Sequence, residues 1–289
     1  MKITNRYNLP PAIYQALAQG TRNPEPYEYH VTEIIGPPLI RALKRKHWDD
    51  LEEDASERLW ALLGTSVHHA LEKAGDILNA LKEETISTRV GNSVLHGTLD
   101  ILHGTALEDY KVTSVFSYLF GLKPEWEKQL NVYAFKAQAL GFPVESLRIN
   151  AILRDWKRYE ARRDPNYPEI PFVAFDVPLW PIPDQRRYVE ERVSLFEQVD
   201  DGFIDPAPCT DEERWARSPS FAIVKDGLKK AYRVHDSMDA AEEMLSGMKD
   251  KDKYRIDMRP GMNIRCMDYC PVRSVCPYTS HQNAALEAA

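Results

Sequence analysis

Two short segments carry the residue types that metal-assisted hydrolysis needs, Gly97-Thr-Leu-Asp100 and Leu107-Glu-Asp109-Tyr-Lys111. An acid ends the first, and an Asp-x-Lys sits in the second. Within a strand the period of two puts Asp109 and Lys111 on one face, so a carboxylate able to bind a cation lies beside an ammonium able to reach an attacking water. Asp100 supplies a second carboxylate if the two segments are neighbouring strands. Oxygen ligands suit a hard cation such as Mg²⁺, which polarises a phosphate, lowers the pKa of a bound water and orients in-line attack. Hydrolysis of a phosphodiester is the reaction this set favours. A surface ion pair is the competing reading, because an acid and an Asp-x-Lys recur by chance in a charged protein. Glu108 competes with Asp109 for the role of acid, but strand alternation turns it to the face opposite Lys111.

Two further groups lie at helical spacing. In Gly64-Thr-Ser-Val-His68-His-Ala-Leu-Glu72, His68 and Glu72 share a face at i and i+4. His68 is either a metal ligand or a hydrogen-bonded structural histidine. Glu72 reads as a group that orients a ligand or serves a second metal, and His69, about 100° round the helix, reads as structural. Gln129-Leu-Asn-Val-Tyr133 also shares a helical face, which by itself would be core packing.

The four cysteines, Cys209, Cys266, Cys270 and Cys276, all lie in the last third of the chain. In a reducing compartment that clustering points to a metal rather than to disulfides. Four thiolates close either a 4Fe–4S cluster or a tetrahedral Zn²⁺ site. The gap of five residues between Cys270 and Cys276 is wider than the paired turns of most zinc sites, which favours the cluster. A free buried thiol is the alternative for Cys209, whose place as fourth ligand rests on number alone. Such a cluster would be structural, clasping the C-terminal tail to the segment around Cys209.

These residues need elements to hold them. Apolar positions from Leu59 through Val67 to Leu78 recur at helical spacing, which predicts a helix over 54–81. Thr85–Val90, Val94–Leu102 and Ala106–Thr113 have strand character, separated by the turn pairs Gly91-Asn92 and His103-Gly104. Pro124 opens a second helix that runs to about Leu140 and stops at Gly141, and Val144–Trp156 reads as a strand. This order describes an α/β fold with a small mixed sheet flanked by helices. The expected organisation is an irregular lead-in over 1–53, a core over 54–160 and a cysteine-bearing C-terminal extension over 161–289. The extension opens with an extended proline-rich connection around 165–183. A helix over 184–201 follows, then strand, strand, helix and strand over 219–257.

At 289 residues, 43% hydrophobic and 28% charged, the chain is long enough for a sizeable core. A net charge of −7 excludes a protein that coats nucleic acid through bulk positive charge. Local basic clusters remain: Arg41 to Lys46, Arg154 to Arg163, and Lys225 to Arg233. No stretch approaches the roughly 20 apolar residues that cross a bilayer, and a soluble, cytoplasmic protein with no membrane partner is expected.

Gly64-x-x-x-His68, Gly97-x-x-Asp100, Asp109-x-Lys111 and Gln129-x-x-x-Tyr133, in that order, resemble the motifs of the RecB-like branch of PD-(D/E)XK nucleases, whose core is restriction-endonuclease-like. The resemblance implies that His68, Asp100, Asp109 and the backbone of Tyr110 hold Mg²⁺ or Mn²⁺. It further implies that Lys111 assists the attacking water and that the Gln129 and Tyr133 helix contacts DNA. The cysteines resemble those of iron–sulfur nucleases of the AddB and CRISPR-associated kind, but here no cysteine precedes His68. The segment from Cys209 to Trp215 and the tail also resemble nuclease-like phage proteins. The implied activity is a metal-dependent deoxyribonuclease, exonucleolytic on single strands or ends, in phage or bacterial recombination and repair. Recombination or single-strand-binding proteins are candidate partners, and a closed oligomer would thread a free strand. Two other classes stay open: a catalytically inactive DNA-binding or assembly protein of the same fold, and a zinc-stabilised interaction module.

Overall fold

A computed structural model describes residues 1–74 and 80–279, which divide after Ala207 into two compact units. The first is built on a six-stranded mixed sheet. Its strands are β1 (Glu28–His30), β2 (Leu81–Val90), β3 (Ser93–His103), β4 (Ala106–Thr113), β5 (Ser146–Leu153) and β6 (Phe172–Val177). They lie in the order β1-β3-β4-β5-β6, with β2 also paired to β3. The β2, β3 and β4 strands form the expected antiparallel meander. Gly91 at φ 60° permits the tight turn between the first two. β4 and β5 run parallel, and β6 closes the edge antiparallel.

The helices of this unit that matter to the site are α1 (Val31–Ile34), α2 (Pro38–Lys46), α3 (Leu59–Ala74), α4 (Phe116–Leu119), α5 (Pro124–Ala139) and α6 (Ile182–Asp200). α5 lies in the crossover that a parallel strand pair requires. Pro124 starts it, and Glu125 and Glu127 in its first turn complement the helix dipole. Trp126, Leu130, Ala134 and Ala137 form its buried stripe, packed with Leu95, Leu99, Leu107 and Ile149 of the sheet. α6 adds Val189, Val193 and Phe196 to the same core.

The fold class is the expected α/β, and three details differ from expectation. Residues 1–53 are not a lead-in: β1 pairs in parallel with β3, and Tyr29, Val31 and Ile34 are core residues. The proline-rich connection contains β6, so the core does not end at 160 and the first unit continues through α6 to Ala207. The first long helix begins at Leu59 after a 3₁₀ turn over Ala55–Arg58 and is described to Ala74, so Leu78 lies outside the described residues.

Arg41, the first residue of the Arg41 to Lys46 basic cluster, is 2% exposed. Its guanidinium lies 3.0 Å from Asp200 and 3.1 Å from Glu33, and packs over the Tyr29 ring. It ties α2 to the end of α6 and is closed to a ligand.

The second unit begins at Pro208. Its three-stranded antiparallel sheet has β7 (Ser220–Lys225) between β8 (Ala231–His235) and β9 (Tyr254–Arg259), with α7 (Met238–Ser246) packed on it. This is the strand, strand, helix, strand order expected. Ala222, Ile223, Val224 and Ala241 form its small core. No described helix is long and apolar enough to cross a membrane.

Candidate metal centre

The site lies where β3 and β4 part. Their ladder runs from His103 opposite Ala106 to Ile101 opposite Glu108. The next pair in that register is Asp100 and Asp109, and there the ladder stops. In its place Asp100 Oδ2 accepts a 2.7 Å hydrogen bond from the Tyr110 amide. Two carboxylates facing each other on adjacent strands repel, and a cation between them removes the repulsion.

His68 reaches this fork from α3. Its Nδ1 is 3.4 Å from Asp100 Oδ2 and 3.4 Å from Glu83 Oε1. Ligand atoms of His68, Glu83 and Asp100 all lie within 4.8 Å of one another, a set that could take one metal ion. The His68 ring also meets the Tyr110 ring edge-on at 6.4 Å. The hydrogen bond with Asp100, and the charges of Asp100, Glu83 and Asp109, raise the His68 pKa to about 9 against the opposing effect of burial. Burial, then the Asp100 charge, raises the Glu83 carboxyl. His68 therefore holds a proton that a divalent cation would displace.

Asp109 is brought to the fork but is held separately. Lys111 Nζ donates to its Oδ1 at 2.9 Å and stands 2.7 Å from Oδ2, which is buried and accepts no hydrogen bond of good direction. Asp109 is only 3% exposed, and burial raises its pKa while Lys111 lowers it. A buried carboxylate oxygen without a proper hydrogen bond is a donor a cation can use. The donor set as a whole, one imidazole and oxygen ligands, fits Mg²⁺ or Mn²⁺.

The helix residues expected to touch DNA lie deeper. Gln129 is 9% and Tyr133 6% exposed. Gln129 Nε2 approaches Asp109 Oδ1 at 3.4 Å, and Tyr133 hydrogen-bonds to Gln129. Gln129 braces the acid from beneath. Gly97 is explained by the same contact: a Cβ there would lie 2.6 Å from Val31 Cγ2 and 2.8 Å from Tyr133 Cε1. Glu108 turns away to accept from Asn150 on β5, as alternation requires. Glu72 pairs with exposed His69 at 3.2 Å and stands apart from the three-residue set.

Glu83 is the residue sequence reasoning missed. It occupies the left-handed backbone region at φ 46°, and the β2–β3 ladder skips it. A non-glycine residue in that conformation is strained, and such strain gathers at functional sites.

In the second unit the four cysteines form no disulfide. Thr210 caps the turn over Asp211–Arg214 that follows Cys209. Arg265 donates to the Glu213 carbonyl at 3.2 Å and packs over Trp215, while Ala216 and Arg217 pair with Asn263 and Met262. These contacts bring Cys209 to the C-terminal three. Burial, then Glu213 and the neighbouring Cys270 and Cys266, pushes the Cys209 thiol up to about 12. Cys266 and Cys270 are raised too, by burial and by facing cysteines that include Cys276.

No family model matches the chain, and no curated protein matches it. Solved structures similar to it include SSO0001, at 16% identity over 70% of this chain and 88% of that one, TM-score 0.44. An alkaline exonuclease from Laribacter hongkongensis is 11% identical over 61% of this chain and 93% of that one, TM-score 0.37. A phage related exonuclease from Haemophilus somnus is 11% identical over 62% and 98%, TM-score 0.39. The core is an α/β arrangement, a forked mixed sheet with a crossover helix packed on it.

Proposed function

We propose that the chain is a divalent-metal-dependent deoxyribonuclease, with DNA as substrate and exonucleolytic action on single strands or ends. The observation that carries this reading is the convergence of His68, Glu83 and Asp100 ligand atoms within 4.8 Å at the strand fork, beside the Asp109 and Lys111 pair. Mg²⁺ or Mn²⁺, when bound, supplies Lewis acidity to the phosphate and an acidified water. His68, Glu83, Asp100 and Asp109 would hold it. The Tyr110 amide fixes Asp100, and Gln129 approaches Asp109, so the acids are positioned before substrate arrives. Lys111 holds a proton beside Asp109, where its ammonium can orient the attacking water and neutralise charge on the phosphate.

The test is degradation of labelled DNA with Mg²⁺ or Mn²⁺ by the wild type and by Lys111→Ala. Loss of at least a hundredfold in the variant is expected, and equal activity in both would discard the reading. Recombination or repair, in a phage or its bacterial host, is the setting we propose.

We infer also that the four cysteines hold a 4Fe–4S cluster. Their thiols are close enough to raise one another's pKa values, and the five residues between Cys270 and Cys276 make a wider gap than the paired turns of most zinc sites. Brown, iron-containing protein after anaerobic purification supports this, and colourless protein with stoichiometric zinc rejects it.

A further inference from the structure

We propose that Trp60, Phe116 and Phe120, with Arg154 and Lys123, form a stacking track that guides one unpaired DNA strand into the metal centre. The proposal rests on the nuclease reading above and adds the form of DNA the site takes.

Among the exposed rings of the first unit, Trp60 is 63%, Phe116 61% and Phe120 81% exposed. Phe116 and Phe120 lie nearly parallel, centroids 5.9 Å apart at 14°. The Arg154 guanidinium lies 4.5 Å over the Trp60 ring. Cations interleaved with exposed aromatics are the combination that binds phosphates and base faces together.

The track leads to the chemistry. The Arg154 amide donates to the Thr113 carbonyl at 2.9 Å, and Asp155 Oδ1 accepts from the Val115 amide at 2.7 Å. The loop that carries Arg154 is thereby fastened to the end of β4, four residues after Asp109, and to Val115, immediately before Phe116. Lys123, whose ammonium lies 4.8 Å over the Trp126 ring, adds a cation near Arg154 and Lys111, with Glu125 also close to it.

The helix supplies the other wall. Trp60, Gly64 and His68 recur at i, i+4 and i+8, along one face of α3. A Cβ at Gly64 would meet nothing within 4 Å. Helical glycine is destabilising relative to alanine, and no packing partner asks for it here. What it leaves is bare backbone between the exposed indole and the imidazole, where a sugar-phosphate chain can lie close.

An unpaired strand is the occupant these features fit. Every base offers a ring face once it leaves a duplex, whereas in the duplex interior those faces are covered by neighbouring pairs. With a net charge of −7, attraction for phosphate must come from local cations such as these.

The experiment measures anisotropy of labelled oligothymidylate and of a blunt duplex of equal length, in EDTA so that cleavage is off, at fixed salt. Wild-type protein should bind the single strand at least tenfold more tightly. Trp60→Ala, and Phe116→Ala with Phe120→Ala, should each weaken single-strand binding about tenfold, while Trp60→Phe retains most of it. Mn²⁺ affinity by calorimetry should stay at the wild-type value in all of them. Equal affinity for duplex and single strand, no single-strand binding, or unweakened binding by the alanine variants overturns the track. Absence of metal-dependent cleavage of any DNA would instead remove the nuclease reading and leave the binding result to stand or fall alone.

Discussion

Glu83 stands across the β2–β3 hairpin from Asp100, in the one gap of an otherwise continuous ladder. The pairs Lys82 with Ile101 and Glu84 with Leu99 flank it on either side. Its backbone turns into the left-handed region at φ 46°, and its carboxylate comes to 3.4 Å from His68. Strain, like-charge repulsion with Asp100 and partial burial all oppose this arrangement in the metal-free protein. A cation reverses the sign of the electrostatic part.

Glu83→Gly separates the two effects. Glycine relieves the left-handed backbone by about 1 kcal/mol, so the metal-free protein should melt about 2–4 °C higher. Mn²⁺ affinity should fall by about tenfold or more, and calorimetry with thermal melts reads both. A variant with wild-type Mn²⁺ affinity would remove Glu83 from the ligand set.

That hairpin also shows how far the sequence could be read. A two-residue turn at Gly91-Asn92 fixes the antiparallel register, and simple counting from it puts residue 83 opposite residue 100. Starting the strand at Thr85 hid this, because Lys82, Glu83 and Glu84 have the composition of a solvated edge. The motif residues were legible because their spacing follows strand and helix periods. β1 was not, since three residues carry no period and their place comes from parallel pairing with distant Val94, Leu95 and His96. β6 is an edge strand with one mostly exposed face, so its proline-rich surroundings read as a connection. The inward position of Gln129 and Tyr133 needed the packing of α5 against β3, visible in Gly97 only after folding.

Gly64 and Gly97 should respond oppositely to alanine. At Gly97 the new methyl meets Val31 and Tyr133 at under 3 Å, an overpacking cost of about 1–3 kcal/mol, and the displaced Tyr133 should lower activity as well. At Gly64 the methyl has open space, so helix propensity should stabilise the protein by about 1 kcal/mol. Chemical denaturation of the two variants measures this, and two changes of the same sign would contradict the packing described.

Metal binding should strengthen as pH rises from 7 to 9. The His68 pKa is raised to about 9, chiefly by Asp100, so below that value the metal must displace a proton. Affinity should climb up to about tenfold per pH unit and level off near pH 9. In the metal-free protein the sign is opposite. A folded pKa above the ordinary 6.5 gives stability that is complete below pH 6.5 and lost as pH rises through 9. Calorimetry in buffers of different ionisation enthalpy counts the released proton, and pH-independent affinity over this range would exclude His68 as a ligand.

The cysteine site makes a prediction that does not depend on catalysis. Burial and mutual proximity raise the thiols of Cys209, Cys266 and Cys270, so these three are not held together as thiolates at neutral pH without a cation. Cys209 enters from about 57 residues upstream of Cys266, and closing that loop restrains a unit whose apolar core is small. Cys209→Ser should therefore lose iron and its visible absorbance. It should also melt the second unit earlier, with cleavage by trypsin starting between residues 208 and 279, while the first unit keeps its Mn²⁺ affinity. Full iron content in Cys209→Ser would assign the fourth ligand elsewhere. Loss of Mn²⁺ affinity along with the iron would instead show that the two metal sites are energetically coupled, which the separate cores give no reason to expect.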